Sequence, residues 1–90
     1  MASYKDRLNR VRVEGESQAL VDRLREPLQR ALADRRAFYA VRVEAVGRAG
    51  EVLVSINGSK GRLPLLFGRG ELDPGHVSRV VQDAVDRFAF

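Results

Sequence analysis

The chain holds one histidine, no cysteine and an excess of arginine, and these facts bound its chemistry. His76 stands near Asp73 and two residues before Ser78. A metal site needs further ligands, and a general base needs an orienting partner and a nucleophile within reach. Ser78 projects from a different side of a helix than His76, so His76 reads as a surface or capping residue. Glu44 and Glu51 flank one turn and can approach each other across a hairpin. Arg42 and Arg48 lie nearby, so cross-strand ion pairing accounts for both acids. Gly58-Ser59-Lys60-Gly61 has the outline of a phosphate loop. Such a loop needs a longer spacer and a strand-to-helix setting, whereas this one joins two strands. Gly68 and Gly70 lack the third glycine and parallel setting of a dinucleotide fingerprint. No catalytic, metal or cofactor constellation emerges, and the chain is expected not to be an enzyme.

Charge points elsewhere. The net charge is +4, and fourteen of the sixteen basic residues are arginine. Residues 1–36 carry nine basic and six acidic groups, residues 37–70 five and two, and residues 71–90 two and four. The positive field therefore comes from the N-terminal part and the sheet, and the acidic last helix is excluded as a nucleic-acid surface. Arg30, Arg35 and Arg36 cluster near the end of a long helix, where cations also stabilise the helix terminus. Lys60, Arg62 and Arg69 lie on loops of a meander. These six are the candidate phosphate contacts, and they predict salt-sensitive binding with weak sequence preference. No aromatic residue is interleaved among them in the sequence. Phe38 and Tyr39 begin a strand, and Phe67, Phe88 and Phe90 read as core or helix-end packing. Duplex DNA is therefore expected over a single strand, which would call for stacking platforms. An inert solvated surface is the competing reading of the same charge.

The elements that must position these groups follow from periodicity. Residues 1–15 read as a helix or frayed arm, with a short strand through Val11 and Val13 as the alternative. Residues 16–36 read as a helix with Leu20, Leu24, Leu28, Ala31 and Leu32 on one face. Pro27 removes an N–H and clashes with the carbonyl of Arg23, a cost of about 3 kcal/mol inside a helix. A kink near residues 23–27, or two helices meeting there, is expected. Tyr39, Val41, Val43 and Ala45 alternate with polar positions as a strand. Val52, Val54 and Ile56 make a second strand, and Asn57-Gly58 supplies the positive-φ pair of a tight hairpin. Leu63, Leu65 and Phe67 make a third strand, which Pro64 assigns to an edge. Asp73 and Pro74 open a last helix with Val77, Val80, Val81, Ala84, Val85 and Phe88 on one face.

The expected fold is α+β, in the order αβββα: an N-terminal helix, a three-stranded antiparallel meander and a C-terminal amphipathic helix. Ninety residues make one small domain, spanning residues 1–90, with a modest core that pairing with a second copy would enlarge. The first residues carry no apolar run that would serve as a signal peptide, and no run of about twenty apolar residues spans a membrane. The absence of cysteine suits a cytoplasmic protein.

Residues from about 37 to 88 carry Gly50-Glu51-Val52-Leu53-Val54-Ser55-Ile56-Asn57-Gly58, then Gly61-Arg62-Leu63, then Leu72-Asp73-Pro74 and a helix through Ala84-Val85. This run of turns and apolar positions resembles the YbaB/EbfC family of small nucleoid-associated proteins. The resemblance implies a homodimer whose sheets join across the pair, a long N-terminal helix, DNA binding with little sequence preference and a nucleoid location. Some actinobacterial relatives are associated with specialised secretion loci. Gly15 and Pro27 depart from the uninterrupted N-terminal helix of the family, and its DNA contacts are not a sharp motif that transfers onto residues here.

Two other readings accompany it. Double-stranded RNA-binding domains share the αβββα order, but they open their last helix with lysines, where this chain has Asp73-Pro74-Gly75-His76. A protein-binding module or assembly factor would use Leu53 and Leu66, which fall on the outer face of the sheet.

Overall fold

The computed structural model describes residues 10–35 and 37–90. Its class is α+β, with two helices laid against a four-stranded mixed sheet. The order is β1 (Val11–Glu14), α1 (Gln18–Leu32), β2 (Tyr39–Val46), β3 (Glu51–Gly58), β4 (Gly61–Phe67), a single 3-10 turn at Arg69–Glu71, and α2 (Pro74–Arg87). The strands lie side by side in chain order.

The meander is present, but it is not the whole sheet. Val11 to Glu14 form a strand, in place of the favoured helix or frayed arm, and pair in parallel with β2, Val11 against Tyr39. The reason is burial. Val11 and Val13 both enter the core, and only a two-residue period puts both on one face. Parallel neighbours require a crossover, and α1 is that crossover. Gly15 is the hinge. A Cβ there would sit 2.3 Å from the carbonyl oxygen of Val43, so the chain passes over β2 at a distance only glycine allows.

Ser17 caps α1, its Oγ accepting from the Leu20 N–H at 3.3 Å. The helix is shorter than the span 16–36 and runs unbroken through Pro27, so two helices do not meet there. Pro27 is buried, and its ring packing offsets part of the lost hydrogen bond. In α2, Asp73 accepts from the His76 N–H at 3.1 Å and Pro74 occupies the first turn, as the sequence predicts.

One core holds the fold. Leu24, Leu28 and Leu32 from α1, Val77, Val81 and Val85 from α2, and Val41, Val43, Val54, Ile56 and Phe67 from the sheet are all buried in it. Each such side chain contributes about 1.5–3 kcal/mol on burial. Phe88 does not join it. The last helix ends at Arg87, and Phe88 is 61 % exposed. Phe90 packs instead, its ring stacked with Tyr39 at 6.4 Å between centroids.

The β3–β4 hairpin turns later than Asn57-Gly58 predicts. Both residues belong to β3, Ser59 and Lys60 make the turn, and the positive φ falls on Gly61 at 120°. Gly58 is needed for space: a Cβ there would stand 3.3 Å from the Tyr39 ring and 3.4 Å from the Phe90 ring. Asn57 donates from Nδ2 to the carbonyl of Ala40 at 3.2 Å. Pro64 lies in β4, the edge strand it predicts. Among the described residues, no helix is long and apolar enough to cross a membrane.

Candidate nucleic-acid interface

Because the helices share the core face, no element of the described residues packs on the other face of the sheet. Its composition follows from strand alternation and register. One row runs Arg12, Ala40, Asn57, Arg62 across all four strands. The next runs Glu14, Arg42, Ser55, Pro64, and beyond it Glu44, Leu53 and Leu66 stand side by side. The first row is basic at both sheet edges and small or polar between them.

At the end of the sheet nearest that row lies a groove of about 450 Å³, lined by Arg10, Arg12, Phe38, Asn57 and Ser59 among others, with no carboxylate among its described lining residues. The backbone ladder continues to its rim, where the Tyr39 N–H donates to the Arg10 carbonyl at 2.9 Å. Arg10 and Arg12 have no ion-pair partner among the described residues. Arg62 reaches back over the face, its Nη2 donating to Ser55 Oγ at 3.2 Å. In the next row Arg42 is neutralised by Glu44 at 2.6 Å. The hydrogen bond that Arg42 donates to Glu44, and then the carboxylate's charge, push the Arg42 guanidinium pKa further up.

The five sequence-predicted contacts that lie among the described residues do not form one surface. Arg30 is exposed on α1 and pairs with Glu26 one turn away at 2.5 Å. Arg35 bridges to Asp86 of α2 at 2.7 Å and is mostly covered, which makes it a tie between helix ends. Arg36 lies outside the described residues. Lys60 donates from Nζ to the Ala89 carbonyl at 2.5 Å and holds the hairpin against the C-terminal segment. Of the predicted contacts among the described residues, Arg62 alone lies on the open face. Arg69 sits at the far end of β4, its aliphatic chain against Gly50, and with Arg23 and Arg48 it borders a separate surface cleft of about 640 Å³.

Arg10, Arg12, Phe38 and Asn57 are the positions sequence reasoning passed over. Their signal was the alternation Arg10-Val11-Arg12-Val13, which puts both arginines on one face if the segment is a strand. Phe38 carried none, because its neighbours in the groove come from other strands.

The remaining chemistry-bearing groups serve the fold. His76 Nε2 lies 3.6 Å from Glu71 Oε2, and its ring meets Phe67 edge-on at 6.3 Å. Glu71 also accepts from the Gly68 N–H at 2.8 Å. Glu44 takes its partner from its own strand and not across the hairpin. Among the described residues, no group of three or more His, Asp or Glu side chains is placed to hold a metal ion. Compared with known proteins, the chain matches no family model, no curated protein and no solved structure.

Proposed function

We propose that this chain is a non-enzymatic DNA-binding protein that holds phosphates through arginines with weak sequence preference, and that it works as a homodimer. One observation carries the reading: Arg10, Arg12 and Arg62 share an open sheet face, and among the described residues no carboxylate lines the groove beside them. Guanidinium groups held this way suit phosphate oxygens and carry no base code of their own. The net charge of +4 acts in the same direction. The YbaB/EbfC resemblance of residues 37–88 supports DNA as the partner and a nucleoid location, although β1 adds a fourth strand to the three-stranded sheet that resemblance implies. The dimer is favoured by small size and by β4, an edge strand with an open flank.

The test is fluorescence anisotropy of a labelled oligonucleotide titrated with the protein across a salt series. The expected result is tight binding at low salt and a linear fall of log affinity with log salt. Absence of binding at low salt, or binding indifferent to salt, overturns the proposal.

A second reading rests on Leu66, which is 59 % exposed beside Leu53 on the same open face. In that reading the face docks a protein, as an assembly or secretion factor would, and nucleic acid plays no part. Partner capture that survives Arg12→Glu and fails with Leu66→Lys distinguishes it.

A further inference from the structure

Phe38 is 76 % exposed, the most exposed of the large apolar side chains on this molecule's described surface. It stands immediately before β2, one position out of phase with the buried Tyr39, and so on the open face with Ala40. Arg10 and Arg12 line the same groove from the neighbouring strand, and Asn57 lines it from the other side. Aromatic and basic residues separated by more than twenty-five positions in the chain are thus interleaved in space. We propose that this groove binds a single-stranded segment of nucleic acid, with one base stacked on the Phe38 ring and its flanking phosphates held by Arg10 and Arg12. The proposal rests on the nucleic-acid reading above and specifies its partner, replacing the duplex expected from the sequence.

Three features favour an unpaired strand. A duplex keeps its base faces stacked within itself and offers none to an exposed ring, whereas a single strand can splay a base onto it. The chain is anchored next to the ring: Tyr39, the following residue, is buried on the core side and stacks with Phe90, and β2 is paired on both flanks. The groove also has an oriented polar group. Asn57 commits Nδ2 to the Ala40 carbonyl, which leaves Oδ1 to accept from a base N–H, such as the N3–H of thymine. The arginines supply the complementary charge, and no acid among the described lining residues opposes it.

The experiment compares oligothymidylate with its duplex on oligoadenylate, for the wild-type chain, Phe38→Ala and Phe38→Trp. Phe38 is exposed, so both variants are expected to keep the wild-type melting temperature. The expected result is a preference for the single strand that Phe38→Ala weakens on the order of tenfold and Phe38→Trp retains, with duplex affinity and salt slope unchanged. Equal loss on strand and duplex, or no loss on either, overturns the stacking site while leaving phosphate binding intact. No binding of either oligonucleotide at low salt overturns both proposals. A fall in molar mass by light scattering for Phe38→Ala, with oligonucleotide affinity unchanged, assigns the ring to an interface between copies and overturns the stacking site.

Discussion

The guanidinium of Arg35, just past the end of α1, closes on Asp86 Oδ1 of α2 at 2.7 Å. Its Nε is buried with no hydrogen-bond partner among the described residues. A cation that looks like a ligand contact in sequence is therefore a clamp between the two helices. Arg35→Ala is expected to lower stability by about 0.5–1 kcal/mol, since Asp86 is well exposed and solvent screens the pair. Oligonucleotide affinity is expected to stay within twofold, about 0.4 kcal/mol by the usual conversion. A urea titration alongside anisotropy checks both halves, and a large affinity loss without destabilisation would return Arg35 to the binding surface.

Arg12 and Arg62 carry the opposite expectation. Both are exposed at the two edges of the basic row. Arg12→Ala should leave the melting temperature nearly unchanged and reduce the slope of log affinity against log salt by about 1, because one phosphate is no longer neutralised. Arg62→Ala should do the same at a small extra cost in stability, because it also releases Ser55, which is buried.

Gly15→Ala should destabilise the fold by about 1–3 kcal/mol, since the added Cβ meets the backbone of β2 and backbone cannot swing aside. Gly70→Ala is the control: a Cβ there meets nothing within 4 Å, and φ is not positive. Denaturation midpoints at constant m-value separate the two.

Leu66→Lys tests whether the apolar end of the open face is occupied. The side chain is 59 % exposed, so the isolated fold should change by no more than about 0.5 kcal/mol. If a second copy covers it, light scattering will show the mass fall toward that of one chain; an unchanged dimer mass places the interface elsewhere.

Elements whose signals are local were legible in the chain. Asp73 and Pro74 start α2 because capping needs only the next turn of backbone. The alternations of β2, β3 and β4 assign inside and outside faces, and Pro64 marks an edge because it lacks a donor. The turn was misplaced at Asn57-Gly58 because the demand on Gly58 comes from Tyr39 and Phe90, which are remote in sequence. Leu20 to Leu32 outlined α1, and Pro27 does not divide it into two helices, since propensity is a weak prior beside burial.

Local composition and periodicity thus determined the α+β class, the meander and both amphipathic helices. They also determined an excess of arginine without saying where it would point. Only tertiary structure decided that Val11–Glu14 joins the sheet in parallel, because that pairing is closed by a helix and depends on long-range contacts. The same pairing brings Arg10 and Arg12 beside Phe38 and Asn57, while separate long-range contacts take Arg35 to Asp86 and Lys60 to the Ala89 carbonyl. A site assembled from neighbouring strands has no spacing in the chain by which to be read.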